Sequence, residues 1–326
     1  MLGPTPLRDT YLVAGFELRE MLRSRRAFMV LGLYLAIAAV ATYVFVQFLA
    51  QLQTVVANPA TLMGPPPNAR AGTTPTAPEA PAQAAVVTPA APRQDALYGR
   101  RSPFRGMVRN MMSTPELADF LLNLPPISLF YFTTSLLMVP FLIMITASET
   151  VAQEHQSRGV RFIALRTGRV EFVLGKVLGQ GLLMALVTLC SGGMGMAIAA
   201  WKLQDFDFMA ALDGTLLFWP RLVAYCVPFL GLAALASMNS SSVVSARVFS
   251  LGGLVAMWVG HQFARSYADT PYETLGNFID HLTPYFYQND LLYPSYQQVG
   301  AAAAALVGLG ALYIAVGLIF YRRRDL

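Results

Sequence analysis

The sequence is poor in charge: Asp, Glu, Lys and Arg make up 13% of its 326 residues, whereas 55% are hydrophobic. Soluble chains carry roughly 25% charged residues, so this composition excludes an ordinary soluble domain. The mean hydropathy of +0.49 is typical of a polytopic membrane protein. Because backbone groups in lipid must be bonded within their own segment, we expect the spans to be helices. The strand-period alternation of a membrane β-barrel is missing.

Residues that carry chemistry are also scarce, with two cysteines and three histidines. Cys190 and Cys226 both fall in apolar runs, where we expect buried small side chains rather than a disulfide. The histidines are scattered and no cysteine joins them, so no metal site is predicted. From Gly168 to Lys176 the glycines are too far apart for a phosphate loop, and Val177 replaces its Ser or Thr. The sequence therefore predicts no catalytic residue, cofactor or metal in this chain.

What the chain does have is six long apolar runs. A hydrocarbon core of about 30 Å needs roughly 20 residues of helix to cross it. The pattern predicts an all-α membrane protein with transmembrane helices at 27–50, 127–147, 177–200, 222–238, 248–263 and 299–320. The fifth run is short and ends near His261.

Basic residues predict the orientation, because short cytoplasmic loops are rich in Lys and Arg. With both termini in the cytoplasm, 14 basic residues lie inside and nine outside, and six of those nine fall in the long 51–124 loop. Since the basic residues flank apolar runs, they do not indicate nucleic-acid binding. We therefore expect a multi-pass protein of a bacterial cytoplasmic (inner) membrane, with residues 321–326 as a cytoplasmic tail.

The predicted spans lack acidic residues at depth. Arg221, His261, Glu149 and Lys176 lie near span ends, where polar side chains reach water. Ion-driven pumps usually need ionisable residues at depth, so the pattern disfavours a secondary transporter. A neutral ion site at unwound midplane helices is an open alternative.

Residues 1–26 contain an amphipathic helix, from 7 to 26, that precedes the first span. We expect it to lie in the membrane interface as a cytoplasmic elbow, with its arginines near anionic headgroups. The alternative is a plain cytoplasmic extension of the first span. The residues expected to place the elbow in the interface are Phe16, Arg19, Arg23, Arg25 and Arg26.

The segment between the first two spans, residues 51–124, is predicted to be an extracytoplasmic loop. Nine prolines occur in residues 57–93, which cannot bury enough apolar surface to fold and are expected to be disordered. Residues 94–124 regain apolar character, and short helices near the outer membrane surface are expected there. The loop is also the place where an extracytoplasmic partner would bind.

Small residues recur in the third span. Gly175 and Gly179 form a G-x-x-x-G pair, which lets helices approach closely. The sequence favours ordinary packing inside the bundle over a specific dimer interface.

The polar segment 148–176 resembles the loop after the second span of ABC-2-type permeases, the membrane subunits of type-2 ATP-binding-cassette (ABC) exporters. In that family an acidic, Gly-containing loop is followed by an arginine seven residues before a Gly-Lys pair, and Arg169 and Lys176 have that spacing. The family often has a proline three residues before this arginine, where this chain has Arg166. The amphipathic N-terminal helix, the six spans and the C-terminal Arg324-Asp325-Leu326 also resemble the family.

The resemblance implies that residues 149–169 include a coupling helix that docks on a separate ABC ATPase subunit, in which ATP and Mg²⁺ bind. The residues it implicates are Glu149, Glu154, Arg158, Gly159, Arg161, Arg166, Arg169 and Lys176. It also implies a second permease copy or homologue, besides membrane lipid, as a partner. The alternative is a solvated loop that only sets the topology.

Residues 264–298 contain six tyrosines and three prolines and are too polar to span. In the family this place holds short re-entrant helices that close an outer gate. That assignment makes His281, Pro284, Tyr285 and Tyr287 outer-gate candidates. A surface loop with tyrosine anchors at the interface is the alternative.

Two functions of different classes therefore fit the sequence. The first is a non-catalytic permease subunit of an ABC exporter, coupling ATP hydrolysis in a partner to movement of a substrate that the fold does not identify. The alternative is a mechanotransmitting or scaffolding subunit that acts on an extracytoplasmic partner without passing substrate. Transport driven by an ion gradient alone would favour a secondary transporter instead.

Deleting residues 64–92 should leave expression and membrane assembly unchanged, because a Pro-rich segment of this kind contributes no packed core. The measurement is the yield and the size-exclusion profile of the purified protein. Loss of assembly would show that the segment is structural.

Overall fold

The computed structural model describes residues 6–57, 114–156, 168–203, 206–267 and 272–322. Within these ranges the protein is helical and contains no strand. Its α-helices are α1 (Pro6–Arg23), α2 (Arg25–Ala57), α3 (Pro115–Leu122), α4 (Pro126–Thr146), α5 (Thr150–Gln156), α6 (Arg169–Lys202), α7 (Phe208–Asn239), α8 (Val243–Ser266), α9 (Glu273–His281) and α10 (Tyr296–Arg322). Short 3-10 helices cover Ala147–Glu149, Phe286–Gln288 and Asp290–Leu292.

Six of the described helical stretches are long and apolar enough to cross a membrane. These stretches lie in α2, in α4 together with the first part of α5, and in α6, α7, α8 and α10. The prediction of an all-α protein with six candidate membrane-spanning helices is confirmed. The elbow position of α1 and the side on which the termini lie stay predictions.

Several helices are longer than the apolar runs that predicted them. α6 begins at Arg169 rather than at Val177, and α7 begins at Phe208 rather than at Leu222. α8 extends from Val243 to Ser266 and is not short. Its start is fixed by a capping box between Ser242 and Ser245, and α7 starts where Asp207 accepts a hydrogen bond from the Ala210 amide.

The core of the bundle is built around α7, whose most apolar stretch is 72% buried. Large side chains such as Phe218, Tyr225 and Phe229 are fully buried there, and Phe218 stacks on Phe132 of α4. The corresponding stretches of α2, α8 and α10 are 22%, 17% and 22% buried, so these helices form the outside of the described fold.

α7 and α10 approach each other closely through two glycines. A Cβ on Gly231 would lie 2.5 Å from the carbonyl oxygen of Gly310, and a Cβ on Gly310 would lie 2.8 Å from the carbonyl oxygen of Val227. Both distances are too short for any other side chain, so glycine sets the separation of these helices.

The alternating helices give the bundle two ends. We call the end at which α1, α5 and the start of α6 meet the α5 end, where Phe172, Met238 and Tyr321 form a small apolar cluster. The opposite end, where α3, α9 and the 3-10 helices Phe286–Gln288 and Asp290–Leu292 lie, is the α9 end. The Pro-rich residues 57–93 lie outside the described ranges, and of residues 94–124 the described part contains the short helix α3.

Gly310→Ala should lower the free energy of unfolding by about 1–3 kcal/mol, because the added methyl forces α7 and α10 apart. Gly308→Ala on the same helix is the matched control, since no atom beyond its own stretch of helix lies within 4 Å of its added Cβ. SDS titration of both purified variants is the measurement. Equal stability of the two would contradict the close contact.

Candidate functional site

The α5 end is organised around Lys176, a buried residue of α6. Its Nζ lies 2.8 Å from Oε2 of Glu17 on α1 and 3.5 Å from Oε1 of Glu154 on α5. The side chains of Lys176 and Glu17 are each 6% exposed. An unpaired buried charge costs several kcal/mol. Moving α1 or α5 away from α6 would separate Lys176 from a carboxylate, so this ammonium links the three helices.

Glu17 is the acidic member of this buried pair. Burial raises the pKa of its carboxyl above the usual value, and the charge of Lys176 opposes that rise without cancelling it. The ionised form of Glu17 therefore depends on Lys176.

α1 lies directly on α6 at the G-x-x-x-G pair. A Cβ on Gly175 would lie 2.6 Å from Cβ of Val13, and a Cβ on Gly179 would lie 3.0 Å from the carbonyl oxygen of Ala14. The two glycines thus serve packing within the chain, because α1 already covers the face on which they lie.

The opposite face of α1 is exposed and apolar. It presents large side chains that no described helix covers, namely Leu7, Tyr11, Leu12 and Phe16. Arg19, Arg23 and Arg25 are exposed towards the end of α1 and the start of α2. An apolar outer face with flanking arginines is the arrangement that an interfacial helix needs.

The short helix α5 is fastened to the end of α7 by Ser237. The first amides of an α-helix have no partner within the helix. Here the backbone N–H groups of Val151 and Ala152 both donate to Oγ of Ser237, at 3.0 and 2.9 Å. Val151 is also buried in the apolar cluster with Met238.

A second ion pair ties the junction before α5 to α8. Glu149 lies in the 3-10 helix between α4 and α5, and Arg247 of α8 donates to its carboxylate. In the next turn of α8, Oγ of Ser250 donates to the carbonyl oxygen of Met144 at 3.1 Å. Together with Ser237 and Lys176, these contacts connect α5 to α1, α6, α7 and α8.

A cavity of about 530 Å³ opens between these elements. We call it the α5-end cavity. Its walls come from α1, α2, the end of α4, α5, α6 and α8, and they include Glu17, Glu154, Lys176 and Arg247.

Other residues predicted in the polar segment are placed differently or lie outside the described ranges. Arg169 is the first residue of α6, and Lys176 is a buried helical residue rather than part of a solvated loop. Arg158, Gly159, Arg161 and Arg166 lie outside the described residues, and so does the side chain of Arg26.

The α9 end contains a second polar network. Nδ1 of His261 on α8 lies 2.6 Å from Oδ1 of Asp280 on α9, and Oγ1 of Thr283 donates to the carbonyl oxygen of Asp280 at 2.8 Å. Arg221 of α7 is buried and donates to the carbonyl oxygens of Leu291 and Tyr293, at 2.8 and 3.1 Å. These contacts fix α9 and the following 3-10 helices on the bundle.

The predicted gate residues lie around this network. The ring of Tyr285 lies 5.9 Å from that of His261 and 6.1 Å from that of Phe229. Pro284 is buried. His281 is exposed, and its backbone carbonyl accepts a hydrogen bond from the Tyr287 hydroxyl at 3.2 Å.

The helix α9 exposes large apolar side chains beside polar ones such as Glu273 and Asn277. Its face towards α8 carries Gly276 and Asp280, whereas Leu275 and Phe278 are exposed. Such a helix is suited to apolar surroundings on its outer side, as at a membrane interface.

Sequence reasoning missed several of these residues. Arg221 was expected near a span end, but α7 begins earlier and places it inside the helix. The sequence gives no signal for Asp280 or Ser237, because their partners lie on other helices and no local pattern predicts such contacts. Among the described residues no group of three or more His, Cys, Asp or Glu side chains is placed to hold a metal ion.

Lys176→Met should lower the free energy of unfolding by about 3–5 kcal/mol near pH 8, because it leaves the Glu17 carboxylate buried without its partner. The loss should be smaller near pH 5. A carboxyl whose folded-state pKa is raised stabilises the fold at low pH and loses that contribution as the pH rises through the folded pKa.

The double variant Glu17→Met with Lys176→Met should recover most of the lost stability, since no buried charge is left. Arg247→Met is the control: its side chain is 41% exposed, and its pair should contribute less than about 1 kcal/mol. SDS titration at both pH values measures all variants. A pH-independent loss, or no recovery in the double variant, would contradict the role of the pair.

Comparison with known proteins places this arrangement in a family. No curated protein matches the chain in a sequence search. The family model described as ABC-2 family transporter protein matches residues 11–326, which is nearly the whole chain and includes α5, the Arg169–Lys176 spacing and all six candidate spans. The resemblance found in the sequence is therefore confirmed: this chain belongs to the ABC-2 family of transporter proteins, the membrane permease subunits of ABC transporters, whose family implies ATPase partner subunits.

Proposed function

We propose that this chain is the permease subunit of a bacterial ABC exporter, in which α5 transmits the motion of a partner ATPase to the membrane helices. The observation that carries the proposal is the attachment of α5. This helix of seven residues is joined to α7 through Ser237, to α6 and α1 through Lys176, and to α8 through the adjoining Glu149.

Such attachment suits a coupling element. A helix held by one contact would move alone, whereas a displacement of α5 strains hydrogen bonds or ion pairs to several helices at once. Because buried polar contacts have discrete arrangements, the strain favours movement of whole helices over gradual deformation. ATP and Mg²⁺ bind the partner subunit in this proposal, and this chain contributes no catalytic residue.

The proposal assigns the α5 end to the cytoplasm and the α9 end to the outer side. The distribution of basic residues supports this orientation, with both termini inside. The exposed apolar face of α1 supports an interfacial elbow at the cytoplasmic surface. At the other end, the exposed apolar side chains of Leu275 and Phe278 on α9 support a segment at the membrane interface that closes the outer side.

A second permease copy or homologue completes the proposed transporter. The exposed apolar faces of α2, α8 and α10 are available for lipid and for this partner. A substrate path between two permeases would then lie beside α2 and α8, whose cytoplasmic ends adjoin α1 and α5.

Glu154→Arg and Arg161→Glu should each weaken association with the ATPase and lower its stimulation by the permease, because both reverse a charge in the proposed docking segment. Gln156→Arg changes an exposed residue of α5 without altering its ion pairs and should act in the same direction. Co-purification and ATPase assays are the measurements.

Glu116→Arg on α3, at the opposite end of the bundle, is the matched control and should leave association unchanged. The unfolding temperature of each variant separates lost docking from lost folding. Normal co-purification and stimulation with Glu154→Arg, Arg161→Glu and Gln156→Arg would refute the docking role.

A further inference from the structure

The α5-end cavity has the size and position of a ligand site. Its volume of about 530 Å³ lies within the range of roughly 300–1,000 Å³ that small-molecule sites occupy. Its walls are formed where α2, α4, α6 and α8 reach the same end of the bundle, so the cavity lies near one end of four candidate membrane spans.

The lining of the cavity has both signs of charge. Four carboxylates line the cavity, those of Glu17, Glu20, Glu149 and Glu154. Three cationic side chains line it as well, those of Arg25, Lys176 and Arg247. Lys176 and Arg247 are already engaged with carboxylates of the chain. Glu20 and Arg25 are exposed, and they give the cavity one anionic and one cationic group that solvent reaches.

Gln180 supplies an independent indication that the site takes a polar ligand. It lines the cavity and is 1% exposed, and neither its Oε1 nor its Nε2 has a hydrogen-bond partner among the described residues. A buried amide almost always finds a partner, because leaving it unpaired costs free energy. The amide can both donate and accept, so it matches a ligand group that carries both functions or two adjacent groups.

Apolar side chains complete the walls. Met21, Val30, Leu31 and Leu183 line the cavity and belong to the main apolar core or pack against it. A site with a charged rim and an apolar interior, at the end of membrane-spanning helices, fits an amphiphile better than a soluble metabolite.

We propose that the α5-end cavity binds a phospholipid whose headgroup carries a primary ammonium beside its phosphate. The ammonium matches Glu20, the phosphate matches Arg25, and the Gln180 amide bonds to headgroup oxygens or N–H groups. The excess of one carboxylate over the cations disfavours an anionic phospholipid. A quaternary ammonium has no N–H to donate, so it does not satisfy the carboxylates.

The test is lipid binding to the purified full-length chain without an ATPase, measured by native mass spectrometry. The probes are phosphatidylethanolamine, phosphatidylcholine and phosphatidylglycerol with identical dioleoyl chains. We expect phosphatidylethanolamine to bind about tenfold more tightly than the other two. Gln180→Leu and Glu20→Gln should each weaken that binding by about tenfold, the effect of losing one hydrogen bond to a charged group.

Gln262→Leu, which changes an exposed glutamine at the α9 end, is the matched control and should leave binding unchanged. Gln180→Leu should unfold at a temperature no lower than that of the unaltered protein, because it removes a buried amide that has no partner. Weaker binding with retained stability therefore reports on the site rather than on the fold.

Equal affinity for the three lipids would overturn the proposal, and so would unchanged binding in both Gln180→Leu and Glu20→Gln. A further arm uses soluble O-phosphoethanolamine as competitor. If it bound as tightly as the lipid, the site would belong to a soluble ligand and the lipid assignment would be wrong. Since the ATPase is not needed, these outcomes are independent of the coupling role proposed for α5.

Discussion

The burial of one ammonium group constrains the whole α5 end. Lys176 lies well inside α6, and its charge is tolerated because Glu17 and Glu154 approach it from two other helices. Those approaches are possible because Gly175 and Gly179 have no side chain to hold α1 away. The two glycines let α1 pack closely on α6, and that packing brings Glu17 within reach of Lys176. The three features therefore depend on one another.

The two ends of the bundle are held by different chemistry. At the α5 end the links are ion pairs and the double hydrogen bond to Ser237, all of which depend on discrete partners in distant parts of the chain. At the α9 end, Arg221 donates to backbone carbonyl groups and the hydroxyl of Tyr313 donates to the carbonyl oxygen of Leu282 at 2.7 Å. The side chains of His261 and Asp280 also pair at this end. The α9 end therefore combines one side-chain pair with links to backbone carbonyl groups, which every residue carries whatever its side chain.

The helices were predictable because apolar runs of membrane length leave few alternatives. The ends of the helices were not predictable, because the apolar run stops several residues before the helix does. Residues 169–176 contain Arg169, Glu171 and Lys176, which end an apolar run, yet the helix continues because Lys176 finds partners within the protein. Arg221 interrupts the apolar run of α7 in the same way. The Arg169–Lys176 spacing matched the family pattern, but Glu17 lies 159 residues from Lys176 and periodicity carries no information about such a pairing.

The length of α6 has a mechanical consequence. Its 34 residues span about 51 Å, whereas the hydrocarbon core of a bilayer is about 30 Å thick. If a helix longer than the membrane tilts as a rigid body about its middle, both of its ends move. A tilt of about 10° around its middle displaces each end by about 4 Å, which exceeds the reach of a hydrogen bond. A small rotation at one membrane surface is therefore sufficient to break or remake polar contacts at the other.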